Sequence, residues 1–550
     1  MKKHNILKVI LCVVLFVTLC TWIFPTISYK SGLVEETTRT QLGVFDIFAY
    51  IVEIFRYFPY VILMTLSIGM FYGVAYKIPA YSELLNAVVS KFRGREKVFL
   101  IAVMSIIALV VSVTGLSFGI MFVFPFIISI VLLMGYNKLV AASVTVGSTI
   151  VGILGTTLGT NTTYYINTLL STTAFSEIIA KIVILVLGLV LLIYNVLHYA
   201  DKTKNNTDKV AELVPSELKA ISTSKIVEPV LSENNDEDKN KKKATSSTTK
   251  KNASKTTTKQ KTSDKSKGKD KTTKSAKTSK TSKRNSKTTA YDLKSKTEVK
   301  VVKTKKKTHI WPFALIFDLV FIILAIGTFD WSGVLNVDFF EQALKAVEDF
   351  KISGFPIFAK LLGSVKEFGS WTLNYEMPTL IFVATCFLAF IYGLKLDDFF
   401  DGLVDGIKKA IKPAIYMFLA YLVLIIVTYN PFQLHFTKFL VKLTSGLNVI
   451  TMTIVVMISS IFNIESVYVA QSTLPYVTSV IQDTTLYPLI SIIFQSVYGL
   501  MMLVAPTSVI LIGTLSYLDV SYTQWIKHIW KLFLQLLLVL VVIFFILFLI

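Results

Sequence analysis

The sequence predicts an all-α polytopic membrane protein, folded as an inverted repeat with about nine transmembrane helices and two re-entrant hairpins. Three observations carry the prediction. The chain has 550 residues, is 53% hydrophobic and has a mean hydropathy of +0.63, too apolar for a water-soluble domain. Runs such as Val98–Met134, Ile178–Leu197 and Leu532–Ile550 reach the roughly 18–20 residues needed to cross a bilayer. Finally, two long runs, Val98–Met134 and Val449–Ile481, carry small or polar residues near their middles, and each is followed by an interrupted apolar segment.

The elements follow in order. The run Ile6–Phe24 follows Lys2, Lys3 and His4 like a signal peptide. Its length and the lack of a small-residue cleavage site predict a retained helix instead. A second span covers Phe58–Tyr76. An amphipathic arm, Tyr81–Phe92, leads into the basic turn "KFRGREK". The run Val98–Met134 comes next, then a broken helix over Leu139–Leu170 and a span over Ile178–His198. Beyond the insert lie a span at Ile310–Thr328 and the amphipathic stretch "DFFEQALKAVEDF", whose Phe339, Phe340, Leu344 and Val347 recur on one helical face. Spans at Pro378–Leu396 and Pro413–Thr428 are separated by the charged "DDFFDGLVDGIKKAIK". Then come "PFQLHFTKFLVKLT", the run Val449–Ile481, an interrupted helix at Tyr487–Leu515 and a last span at Ile529–Ile550.

Most of the net charge of +21 sits in one place. Asp201–Thr308 holds 31 Lys and Arg against 13 Asp and Glu, so the remainder of the chain nets only +3. This segment of Lys, Ser, Thr and Asn lacks the apolar residues that would offset the entropy of ordering, which predicts a disordered insert. Positive charge marks the cytoplasmic side, so the insert and the N-terminus are expected in the cytoplasm of a multi-pass cell-membrane protein. Solvent or anionic lipid headgroups are the insert's expected surroundings. Nucleic acid is disfavoured because Tyr291 alone could stack on bases. The chain thus divides into 1–200, a first membrane repeat; 201–308, the insert; 309–376, a linking helix and external segment; and 377–550, a second membrane repeat. A homodimer is an admissible assembly. Cys12, Cys20 and Cys386 and the five histidines show no metal-ligand or disulfide spacing, and no nucleophile–base pair or phosphate loop occurs, so an enzyme is not expected.

The inside–outside bookkeeping closes only if the two long runs enter and leave on the same side. Each is long enough for two helical legs of roughly 25 Å. Two ordinary helices joined by a tight turn are the alternative. Each run has a proline on its second leg, Pro125 and Pro475. Asn161 follows the first by 36 residues and Ser508 follows the second by 33, so the order of elements repeats with opposite starting side. In secondary transporters such repeats place the site at the midplane, and unpaired backbone is tolerated there only where it lines a cavity or is buried in protein. The breaks "GTTLGTNTT" and "LVAPTSV" therefore supply candidate ligands; close helix packing by Gly and Thr is the competing explanation. Glu465 near the second tip is a costly acid at depth and a functional candidate: a proton carrier, a Na⁺ ligand or a partner for an amino group.

The segments "TWIFP" (Thr21–Pro25), "MGYNK" (Met134–Lys138) and "YGLMMLVAPTSVILIGTLSYLDVSYTQWIKHIWKL" (Tyr498–Leu532) resemble the anaerobic C4-dicarboxylate carriers of the ion transporter superfamily, in their YfcC-like branch. The resemblance covers both membrane halves and implies a secondary active transporter for a small organic anion or amino acid, with an elevator-type movement. It implies no cofactor beyond Na⁺ or H⁺ as a coupling ion. Carried onto this chain, the family's hairpin tips and breaks fall on Ser112, Thr114 and Gly115, on Gly159, Thr160 and Asn161, on Ser459, Ser460, Asn463 and Glu465, and on Pro506, Thr507 and Ser508. The tips "SVT" and "SIFN" depart from a contiguous Ser-Asn-Thr, and "TNTT" replaces the paired prolines usual at the first break. An efflux carrier of the aminobenzoyl-glutamate type, a basic amino-acid exchanger, and a tether working through its insert are the alternatives.

Overall fold

The structure, a computed structural model, describes residues 5–30, 33–36, 42–204, 309–371, 375–444, 446 and 448–550; the expected insert, apart from Asp201–Lys204, lies outside the described residues. The first half runs α1 (Asn5–Ile23), a two-stranded ribbon β1–β2 (Ile27–Lys30, Leu33–Glu36), α2 (Val44–Tyr57), α3 (Pro59–Ala75), α4 (Pro79–Lys91) and α5 (Glu96–Thr114). A 3₁₀ turn at Gly119–Val123 leads into α6 (Phe124–Leu133) and then α7 (Lys138–Ala142). A π turn at Ser143–Gly147 separates α7 from α8 (Ser148–Leu154), and α9 (Thr160–Leu170) and α10 (Ile178–Lys204) follow. Between the halves lie α11 (Trp311–Thr328), α12 (Trp331–Leu335), α13 (Phe339–Asp349) and α14 (Ile357–Leu362). The second half comprises α15 (Glu376–Ile391), α16 (Leu396–Tyr429), α17 (Gln433–Leu443), α18 (Val449–Phe462), α19 (Ser466–Val480), α20 (Tyr487–Met502), α21 (Val509–Tyr517) and α22 (Tyr522–Leu549).

The repeat is visible in the packing. Helix α1 packs on α16 as α15 packs on α3; α5 on α8 as α18 on α20; α8 on α10 as α20 on α22; α4 on α6 as α17 on α19. Three equivalent pairs pack on each other: α3 with α16, α8 with α20 and α10 with α22. The α3–α16 seam is the closest. A Cβ at Gly73 would stand 2.1 Å from the Gly402 carbonyl oxygen, and one at Gly406 would stand 2.1 Å from that of Gly69, so backbone meets backbone. Close approach of this kind is what small residues permit between membrane helices.

Several expectations change. Among the described residues, seven helices (α1, α5, α10, α11, α16, α20 and α22) are long and apolar enough to cross a membrane, and the α2–α3 pair, bent by 65°, would make eight, against nine expected. Helix α15 has only 16 residues, and the break shortens α8 and α9. The amphipathic α2 was not anticipated. The charged "DDFFDGLVDGIKKAIK" is no separate segment: it forms the first half of the 34-residue α16, which continues through Pro413. Its Gly402, Leu403, Gly406 and Ala410 are buried, so packing against α3 carries the helix past a residue that lacks a donor.

The two hairpins differ. Legs α18 and α19 pack together, whereas α5 and α6 do not lie side by side. An aromatic cluster draws the second leg away. Phe122 stacks on Phe317 of α11 at 5.1 Å and meets Phe71 of α3 at 4.9 Å, Phe126 meets Phe317 at 4.8 Å, and Tyr72 OH donates to the Phe122 carbonyl at 2.7 Å. At 19 residues α5 is itself of spanning length, so the first run is a helix with a displaced return leg rather than a matched pair of short legs.

Candidate functional site

The first tip begins where α5 ends in Gly115, whose φ of +72° is the left-handed conformation that suits glycine. The tip is stitched to the first break through Ser112. Ser112 Oγ donates to the Gly155 carbonyl at 2.7 Å and lies 3.1 Å from Thr157 Oγ1, while the Ser112 carbonyl accepts from the Thr157 and Gly159 amides at 3.0 and 3.2 Å. Groups freed by breaking one helix are thereby satisfied by the end of another. A Cβ at Gly159 would sit 2.5 Å from the Gly115 nitrogen, so tip and break touch through backbone. Thr114 Oγ1 donates to the Val110 carbonyl and accepts from the Leu116 amide, closing α5.

The second tip is held from three sides. Asn463 Nδ2 donates to Gln433 Oε1 at 3.0 Å and to the Ser459 carbonyl and hydroxyl, both at 3.1 Å. Tyr498 OH donates to the Ile464 carbonyl and Thr507 Oγ1 to that of Ile461, each at 2.8 Å, tying the tip to α20 and to the second break. Tyr60 of α3 and Tyr421 of α16 both donate to Glu465 Oε1 at 2.8 Å. The first break is tied to α20 through Gln495, whose Nε2 donates to the Thr156 carbonyl at 2.5 Å.

These pieces enclose one cavity of about 330 Å³. Gly115–Gly119 of the first tip, Ile464–Val467 of the second and Ser508–Ile510 of the second break line it, along with Thr162, Tyr60, Tyr421 and Tyr498. Glu465 is its one carboxylate, and no Lys, Arg or His lines it among the described residues. Ser508 and Glu465 precede the first residues of α21 and α19, so the positive ends of two helix dipoles open on the cavity. Ser508 is 1% exposed, and its hydroxyl has no partner among the described residues.

Of the sequence candidates, Gly115, Glu465 and Ser508 line the cavity. Ser112, Thr114, Ser459, Asn463 and Thr507 stand behind it as the stitches just described, and Gly159 forms the backbone contact. The Ser460 hydroxyl is buried without a partner, away from the cavity lining. Pro506 and Thr160 are half-buried outside the lining, and the side chain of Asn161 lies outside the described residues. Thr162, one of the oxygens of the first break, also lines the cavity, whereas sequence reasoning missed Tyr60, Tyr421, Tyr498 and Gln495. A tyrosine or glutamine within an apolar span was the available signal, because its polar end needs a partner.

The model of the C4-dicarboxylate anaerobic carrier family (DcuC) matches residues 4–259 and 271–549. The chain belongs to this family. It is accordingly a multi-pass membrane protein and a carrier of a transporter family. No curated protein and no solved structure matches the carrier.

Proposed function

We propose that the carrier is a secondary transporter that binds a small carboxylate of the C4-dicarboxylate type in the cavity between its two tips. The observation that carries this reading is the convergence of both tips and the second break on one cavity that holds two helix N-termini and the Ser508 hydroxyl, which has no partner among the described residues. Ser508 Oγ and the first amides of α21 hold a carboxylate there. The tips and broken helices move as an elevator past the α3–α16 seam, driven by a Na⁺ or H⁺ gradient or by exchange. The N-terminus and the insert face the cytoplasm. Purified carrier in proteoliposomes should take up labelled succinate, fumarate or aspartate against a gradient or in exchange, and Ser508→Leu should abolish that flux while the protein still assembles. Absence of any carboxylate flux under Na⁺, H⁺ and exchange conditions would end this reading.

A further inference from the structure

Glu465 sits awkwardly in a site for plain dicarboxylates. Its Oε1 is occupied by the hydroxyls of Tyr60 and Tyr421, both at 2.8 Å, which suits a carboxylate that accepts hydrogen bonds and donates none. Both donors come from α3 and α16, the two helices that also meet at the glycine seam. Its second oxygen has no protein partner among the described residues, and Glu465 lines the cavity. A doubly charged succinate entering the same cavity would add two negative charges to this one. The compensation available is two helix ends worth about half a charge each, and no side-chain cation lines the wall.

We infer that Glu465 is an ammonium-recognition subsite: the carrier's substrate bears an amino group beside its carboxylates, and Glu465 Oε2 receives that ammonium. This rests on the cavity being the substrate site, as proposed above, and it narrows the class from dicarboxylates to amino-carboxylates such as aspartate. The ammonium neutralises Glu465 on one wall while Ser508 and the α21 N-terminus hold a carboxylate on another. Tyr60 and Tyr421 act as positioning residues that fix Oε1, so that Oε2 is the oxygen presented.

The test is competition of unlabelled L-aspartate and succinate for flux in proteoliposomes holding the full-length carrier, with and without Na⁺. The wild-type protein should prefer aspartate by about tenfold or more, the worth of one charge-assisted hydrogen bond. Glu465→Gln should erase that ratio by weakening aspartate while sparing or improving succinate. Tyr421→Phe, which leaves the carboxylate in place but less well aimed, should reduce the ratio without abolishing succinate flux. A wild-type preference for succinate, or an equal effect of Glu465→Gln on both compounds, overturns the inference. So does an unchanged ratio in that variant, the result expected of a neutral, protonated Glu465, or a Na⁺ requirement that vanishes with Glu465→Gln. In each of these cases the carboxylate-carrier reading survives. Flux of neither compound in the wild type strikes that reading and this one together.

Discussion

Replacing Ser112 by Ala removes the hydroxyl that joins the first tip to the first break. Three hydrogen bonds end on Oγ: to the Gly155 carbonyl at 2.7 Å, with Thr157 Oγ1 at 3.1 Å and from the Thr157 amide at 3.2 Å. Ser112 is fully buried, so no water stands by to replace them. Hydrogen bonds between membrane helices average about 0.6 kcal/mol and reach about 1.7; three of them sum to about 2 kcal/mol. The Ser112 carbonyl keeps its two amide partners in the variant, so the stitch loosens rather than parts. At about 1.4 kcal/mol per tenfold, 2 kcal/mol makes local opening of the break roughly thirtyfold more frequent. Hydrogen–deuterium exchange reads this directly: amides of 155–159 should exchange roughly thirtyfold faster in Ser112→Ala, while those of 463–467 at the other tip should not change. Equal exchange at 155–159 in both proteins, or acceleration spread over both tips, would refute the stitch as the element holding the break.

The glycine seam should tolerate nothing larger: Gly73→Val drives a side chain into the Gly402 carbonyl and should cost at least the roughly 1–3 kcal/mol of overpacking, read as a lowered melting temperature of the detergent-solubilised carrier. Unaltered melting would show that α3 and α16 can separate freely. In a cysteine-free background, cysteines placed at Ser279 and Lys351 should label from opposite membrane faces, since the single span α11 lies between them; labelling from one face would refute the proposed orientation. Deleting residues 209–306 and rejoining the ends with a flexible linker should leave flux within about twofold, because a change in loop length costs little. A large loss of flux with normal expression would make the insert part of the working machinery.

The membrane class and the repeat were legible because both are written in hydropathy and spacing. Gly, Thr and Pro in apolar runs placed the breaks at 155–163 and 503–509; the helices do stop there, at 155–159 and 503–508, with Thr160–Thr163 already in the first turn of α9 and Val509 opening α21. The continuity of α16 was hidden. Charge and Pro413 argue locally for a loop, and only the tertiary contact of Gly402 and Gly406 with α3 overrides them. The asymmetry of the hairpins was hidden too, because it depends on Phe122 and Phe126 finding Phe71 and Phe317 from distant helices. At the site, polar residues at the tips were readily found, but spacing does not tell which way they point. Ser112 and Asn463 turn inward to bind backbone and neighbours, while Glu465 and Ser508 face the cavity. The tyrosines that aim Glu465 come from α3 and α16, outside both tips, and no local pattern links them to residue 465.

The seam between α3 and α16 also offers a fixed ruler. Because main chain rests on main chain at Gly69, Gly73, Gly402 and Gly406, and the side chains nearest those contacts are the short ones of Ala410 and Val74, little rotamer freedom exists there to let the helices slide by small steps. Spectroscopic probes attached on the outer faces of these two helices should therefore keep one separation through the whole working cycle. Probe pairs that span from α3 to α9, or from α16 to α19, should show two separations under turnover. A pair of distance distributions, one single and one double, would divide the molecule into its stationary and travelling parts without any substrate having been identified.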